Sequence, residues 1–286
     1  MSLAVAVPCA IGAALAYGAS NAVQHSAVNT GAGEIDARRL VGLLRNPRWL
    51  ASVGGDTCGL LLQIIALATG PVVLISPLLV LAVPVSLPVG WLLGGPRPTR
   101  ADYRSCLAIL IGLGVFTALV GDPGIGRPLP TGLALVTILI ALALGAIAFL
   151  VARGRSAVVR AGVYGGVSGA GYGLVGVLLN ATTSVYHDGG RDELFSPRGL
   201  VPLFGVMLVG VLSMIVLQIA FQVGPLAASF PANESTAPVV AVLLGVLLLH
   251  QAVPTGVVHI VTYLLCFALV VFGTVRLGQA QGRRAE

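Results

Sequence analysis

The chain has 286 residues, of which 57% are hydrophobic and only 9% charged, with a mean hydropathy of +0.99. Soluble domains carry about a quarter charged residues, so this composition excludes a soluble enzyme or binding domain and predicts an all-α polytopic membrane protein. The net charge of +6 comes without a basic cluster or basic–aromatic interleaving, which argues against nucleic acid as a partner, and strand alternation is absent, which argues against an outer-membrane barrel.

Apolar runs of membrane-crossing length predict nine transmembrane helices, at 2–27, 49–69, 71–93, 105–121, 130–152, 157–181, 199–221, 225–249 and 254–276. The first contains Tyr17, then Ser20, Asn21, Gln24 and His25, a polar face at helical spacing. The second carries Asp56 in "GGDTCG", about 10 Å from its start at Trp49. The third, "GPVVLISPLLVLAVP", holds Pro77 and Pro84. In the sixth, "AGVYGGVSGAGYGLVG", glycines recur at four-residue spacing (162/166, 165/169, 169/173), a pattern for close helix packing, and Tyr172 lies among them. A polar loop is expected over 182–198, with His187, Asp188, Asp192 and Glu193.

The eighth span is the most unusual. "GPLAASFPANESTAP" contains Pro231, Pro238 and, about 14 Å into the helix, Glu234 beside Asn233, Ser235 and Thr236. An acid near the bilayer centre costs at least ~2.5 kcal/mol on insertion scales, and such residues face the bundle interior and mark substrate or ion paths. The competing reading is a protonated glutamate held by structural hydrogen bonds. Each proline removes an N–H and displaces the carbonyl four residues earlier, here those of Val73, Val80, Ala227 and Glu234. Such carbonyls are tolerated at membrane depth when buried in protein or facing a water-filled cavity, although prolines also serve simply to kink helices for packing.

Orientation follows from arginine, the only basic residue besides histidine. Alternating loops place Arg38, Arg39, Arg45, Arg48, Arg97, Arg100, Arg104, Arg153, Arg155, Arg160, Arg276, Arg283 and Arg284 on one face, against Arg127, Arg191 and Arg198 on the other. Thirteen against three makes the first face cytoplasmic. The expected location is the inner membrane, with the N-terminus outside and the C-terminus inside. The N-terminus lacks the basic region of a cleaved signal peptide.

The two proline-containing segments share Gly-Pro, a proline six residues on and another seven further, at an offset of 154 residues (70 to 224). "AYG" at 16–18 matches "GYG" at 171–173 at 155, and "LLLQIIA" (60–66) resembles "IVLQIAF" (215–221), with Gln63 opposite Gln218. Helices 1–4 then correspond to helices 6–9, five spans later. An odd displacement gives opposite orientation, so two inverted-topology repeats of four helices joined by a linking helix are expected. The boundaries are 1–121 for the first repeat, 122–156 for linking helix 5, 157–276 for the second repeat and 277–286 for a cytoplasmic tail.

The duplicated bundle, together with "RNPRWLASVGGDTCGLLLQIIALATGPVVLISPLLVLAVPVS" and "GPLAASFPANESTAPVVAVLLGVLLL", resembles the drug/metabolite transporter (DMT, EamA-like) superfamily. Within it the chain is most similar to the nine-helix branch that includes NIPA-type magnesium transporters, in which a Trp-led second helix runs into a proline-containing third, as Trp49 to Pro77 do here. The resemblance implies secondary transport by alternating access. Members often carry an acid just after the third helix of each repeat, where this chain has Gly94-Gly95 and His250-Gln251.

No phosphate-binding loop, HExxH, GxSxG or His/Cys ligand cluster occurs, and Cys9, Cys58, Cys106 and Cys266 lack metal-ligand spacing, so neither a cofactor nor an enzymatic activity is expected. The leading expectation is a secondary transporter moving a small metabolite or amphipathic compound by proton exchange at Glu234. Asp56, Asn233, Asn21 and Gln24 complete the site, and Pro77, Pro84, Pro231, Pro238, Tyr17 and Tyr172 line or hinge the cavity. A second reading is a magnesium transporter with Glu234 and Asp56 as metal ligands. A third is a non-transporting membrane subunit. The partners expected are the lipid bilayer and a small-molecule or ion substrate, with homo-oligomerisation left open.

Overall fold

In a computed structural model the chain is described at residues 3–28, 42, 45–93, 97–120, 128–224 and 226–285. Among these residues there is no strand, and nine helices are long and apolar enough to cross a membrane. They are α1 (Leu3–Val28), α2 (Pro47–Thr69), α3 (Val72–Leu92), α4 (Arg100–Val120), α5 (Thr131–Ala152), α6 (Ala157–Leu194), α7 (Pro197–Val223), α8 (Leu226–Leu249) and α9 (Val257–Ala285). The protein is therefore an all-α polytopic membrane protein.

Local chemistry explains several helix starts. Asn46 accepts from the backbone N–H of Arg48 (3.0 Å) and Trp49 (3.5 Å), and Pro47 occupies the first turn, where its missing N–H costs nothing. Ser196-Pro197-Arg198 opens α7 in the same way, the Ser196 hydroxyl accepting from the Arg198 N–H at 3.2 Å. At α4 the Asp102 carboxylate accepts from the backbone N–H (2.6 Å) and hydroxyl (2.9 Å) of Thr99.

Two expectations about elements are corrected. The third span is not one continuous α-helix: a 3-10 turn at Leu79–Leu81 interrupts it, beginning two residues after Pro77. Proline cannot donate to the α-helical ladder, and the tighter turn accommodates the loss. The expected loop over 182–198 is helical through Leu194, although Gly190, at φ +68°, breaks the helical path in the left-handed region that glycine tolerates. Polarity there marks where α6 leaves the hydrocarbon, not where it ends. Residues 277–285, beyond the candidate span that ends at Arg276, are helical and continue α9.

Glycines decide how closely the helices approach. A methyl group added at Gly165, Gly169 or Gly173 of α6 would overlap the backbone carbonyl oxygen of Ser229, Asn233 or Ala237 of α8, one partner per turn. This is the packing role expected from the four-residue spacing. At Gly173 the added carbon would lie 2.5 Å from the Ala237 oxygen and 2.9 Å from Val240 Cβ. At Gly18 of α1 it would lie 2.5 Å from the Ala82 oxygen and 2.9 Å from Val85 Cβ of α3. All three residues of the first contact are 155 positions before those of the second (18 to 173, 82 to 237, 85 to 240). The prolines, offset by 154, stand one residue out of step with this packing.

α4 and α9 make a contact that reads the same from either side. Gly112 faces the carbonyl of Cys266 (2.9 Å for an added carbon) and Gly273 faces that of Ser105 (2.7 Å). The step is seven residues on each helix, taken in opposite directions, so the helices run antiparallel. Phe116 adds ring contacts to Tyr263 and Phe267 at 5.5 and 5.2 Å between centroids. α5 lies on α6 and α7 and turns Leu139, Leu144, Ile147 and Val151 outward, which suits a lipid-facing helix.

The glycine contacts generate a contrast. Gly169→Val forces a branched side chain into the Asn233 backbone, an overpacking change costing about 1–3 kcal/mol or more, and is expected to remove the monodisperse folded species. Gly90→Ala, where an added carbon meets nothing within 4 Å, is expected to leave it intact. Size-exclusion chromatography of the detergent-solubilised variants checks both.

Candidate functional site

The fixed register of α6 on α8 places Asn233 at the contact line and turns Glu234, one residue on, toward the interior. There a cavity of about 380 Å³ opens between α1, α2, α3, α6, α7 and α8. Small-molecule sites occupy roughly 300–1,000 Å³. Tyr17, Asn21, Gln24, Asp56, Tyr172, Asn233, Glu234 and Pro238 all line it. Two acids six helices apart in sequence, separated by 178 residues (56 to 234), thus share one chamber. Tyr172 lies within electrostatic reach of both carboxylates.

Not every expected residue is there. Pro77 lies beside the chamber, at a void of about 10 Å³ that Pro238, Val80, Phe116 and Cys266 also line. Pro84, half-buried, is not part of the chamber wall. The side chain of Pro231 lies outside the described residues. The third span instead contributes Ser76, Leu79, Val80 and Ala82, residues on and next to the 3-10 turn.

The polar groups form two hydrogen-bonded sets. Gln24 Nε2 donates to Asp56 Oδ2 at 2.5 Å, and Gln218 Nε2 of α7 donates to Gln24 Oε1 at 3.3 Å, so one chain of amides joins α2, α1 and α7. Tyr17 donates its hydroxyl to Gln63 Oε1 at 2.7 Å. Asn233 Nδ2 donates to Glu234 Oε1 at 3.1 Å. Among the described residues no Arg, Lys or His lines the chamber. An unpaired charge removed from water carries a cost of several kcal/mol, which a bound proton or cation offsets. Sequence reading had missed Gln63 and Gln218 as site residues, although their matched positions in the two similar segments were the signal that could have found them.

Toward the end where α2, α6 and α8 finish, the chamber gives way to packed side chains including Leu67, Val72, Ile75, Leu178, Ala241 and Leu249. A second polar network crosses this end. Gln251, 2% exposed, accepts from the Val73 N–H at 3.0 Å and donates to Asn180 Oδ1 at 3.4 Å. Asn180, fully buried, donates to the carbonyls of Leu67 (3.0 Å) and Gly70 (3.4 Å), and the His187 ring bonds the Ala68 carbonyl at 2.8 Å. The α2–α3 turn is thereby tied to α6 and to the residue that follows the positive-φ His250 after α8. Gln251, noted in the sequence only as a departure from an acidic position, is a structural tie. Among the described residues no three His, Cys, Asp or Glu side chains come together as a metal site.

Fold and chamber together define a polytopic helical membrane protein with an acid-bearing interior cavity. No family model matches the chain, and no solved structure matches it. It is 28% identical over 221 residues to an uncharacterised protein of Corynebacterium glutamicum, covering 77% of this chain and 75% of that one.

The amide chain predicts energetic coupling across helices. Gln24→Leu removes a donor from Asp56 and an acceptor from Gln218 together. A double-mutant cycle between Gln24→Leu and Gln218→Leu, read by reversible unfolding in mixed micelles, is expected to give an interaction energy within the 0.5–3 kcal/mol range of contacting groups. Additive effects would show that the two amides do not act as one chain.

Proposed function

We propose that this protein is a secondary transporter that works by alternating access, exchanging protons at Glu234 for a small metabolite or amphipathic compound. The observation that carries the reading is the single chamber in which Asp56 and Glu234, from opposite ends of the chain, meet Asn21, Gln24, Asn233 and two tyrosines. A carboxylate in such a place binds a proton or a substrate, and mutual exclusion couples their fluxes. The non-transporting reading required a Glu234 sealed in a dry contact or turned to lipid, and the chamber gives that reading no support.

Two further features support alternating access. The α1–α3 and α6–α8 contacts recur at one offset, and the α4–α9 contact is its own counterpart, as inverted-topology repeats of 1–121 and 157–276 would produce. The network of Asn180 and Gln251 closes one end of the chamber with breakable hydrogen bonds. With the arginine distribution setting the N-terminus outside in the inner membrane, that end is the outer one, and the described conformation is closed to the outside. The resemblance to drug/metabolite transporters agrees with this mechanism.

Proteoliposomes containing a pH dye and a magnesium dye test the proposal. Wild type is expected to move protons when a transported compound is added outside, and Glu234→Gln is expected to lose at least 90% of that signal. A magnesium influx lost in Glu234→Gln would replace the proposal with the cation reading. Equal signals in wild type and variant would remove Glu234 from the mechanism.

The gate makes a separate prediction. On a background lacking the four native cysteines, Ser76→Cys places a thiol in the chamber wall. Adding Gln251→Ala is expected to raise its labelling by an impermeant maleimide from the α2–α3 turn side several-fold. Unchanged labelling would show that the network is not a gate.

A further inference from the structure

Along two amide chains of the chamber wall the donors are spent and the terminal acceptors are not. Gln24 turns its amide NH₂ to Asp56, Gln218 turns its own to Gln24, and Asn233 turns its own to Glu234. An ionised carboxylate only accepts, so it fixes the first amide, and the first fixes the next. What remains is a carbonyl oxygen at the end of each chain. Gln218 and Asn233 are 4% and 5% exposed, both belong to the chamber wall, and neither Gln218 Oε1 nor Asn233 Oδ1 receives a protein hydrogen bond. Buried acceptors left without a donor are costly and rare.

Around these acceptors the wall is apolar. Leu60, Val206, Met207, Val211, Met214 and Leu217 occupy the sides contributed by α2 and α7. Charge, hydrogen-bonding sense and surface thus ask for one chemistry. The charge must be positive, because two carboxylates and, among the described residues, no basic side chain line the space. The charged group carries N–H donors, because the groups that end both amide chains beside the carboxylates are oxygens and charge-assisted N–H···O bonds are the strong ones. The rest must be apolar.

We infer that the substrate is an organic cation bearing N–H donors, a primary ammonium, amidinium or guanidinium on an apolar body. The inference rests on the transport reading for its meaning, but binding alone tests it. The carboxylates of Asp56 and Glu234 hold the cationic head, a turn of the Gln218 or Asn233 amide brings an oxygen to it, and the side chains of α2 and α7 hold the body. A quaternary ammonium satisfies the charge and leaves the oxygens without donors. A hydrated magnesium ion also presents donors only, but it gains nothing from the apolar sides.

Calorimetry of the full chain in detergent micelles tests this with probes that share one body: 2-phenylethylamine, 2-phenylethylguanidine, 2-phenylethyltrimethylammonium, 2-phenylethanol and 3-phenylpropionate, with magnesium chloride as the ion control. The amine and guanidine are expected to bind about tenfold or more tighter than the trimethyl compound, as loss of hydrogen bonds to a charged group implies, and the alcohol and carboxylate are expected not to bind. Glu234→Gln and Asp56→Asn are each expected to weaken amine binding about tenfold. Should either variant fail to fold, Leu60→Phe, which narrows the chamber without touching an acid, is expected to reject the aromatic amine while retaining methylamine. Equal binding of amine and trimethyl compound, binding of the alcohol or carboxylate, binding of magnesium but no amine, or no binding at all would each overturn the assignment. Amine binding without flux in proteoliposomes would sustain the substrate class and remove the transport reading; flux of a neutral or anionic compound would do the reverse.

Discussion

The structure depends on backbone-to-backbone approach at glycine. α6 can meet α8 only because Gly165, Gly169 and Gly173 present no side chain to the carbonyls of Ser229, Asn233 and Ala237. In hydrocarbon there is no hydrophobic force between helices, so packing of this kind supplies much of the association. It also sets rotation. With Asn233 and Ala237 held on the contact line, Glu234 has one direction left to face, and the chamber is in that direction. The site is a consequence of the packing.

Around that contact the polar groups divide by purpose. The set at Asp56, Gln24 and Gln218 surrounds open space, whereas the set at Asn180 and Gln251 spans backbone groups of the α2–α3 turn. Both are amide networks in an apolar protein, and both join segments far apart in sequence. They differ in what is left over. Gln251 and Asn180 meet protein on both sides of their amides, but Gln218 and Asn233 each keep one oxygen without a donor. Satisfied networks rigidify, and partly satisfied ones mark places where something else belongs.

Much of this was legible in the sequence because a bilayer imposes a strong and simple code. Nine spans, their order and the exceptional standing of Asp56 and Glu234 follow from hydropathy and depth. Gly165, Gly169 and Gly173 announced their role through spacing alone. The code fails where polarity and secondary structure part company: "HDGGRDEL" reads as a loop but continues α6, since a helix leaving the membrane needs no apolar residues. It also fails for partners. Nothing in "LLNATTS" or "LLLHQAVP" says that Asn180 and Gln251, 71 residues apart, bond each other. Nor does a proline reveal whether it borders a chamber, as Pro238 does, or the void beside it, as Pro77 does.

The α4–α9 contact has a consequence for charge. A surface that matches itself can join two identical chains or two parts of one, and identical chains would have to carry identical residues at both of its related positions. This chain does not. Counting back 155 residues from Glu234 reaches Leu79, and counting forward 155 from Asp56 reaches Val211; both line the chamber and neither is an acid. Holding both parts in one polypeptide lets each position be occupied by an acid once instead of twice. The interior therefore holds two carboxylates where a strictly twofold assembly would hold four. A monovalent cation and a single proton can balance such a space, and the lopsidedness gives its two sides unequal chemistry.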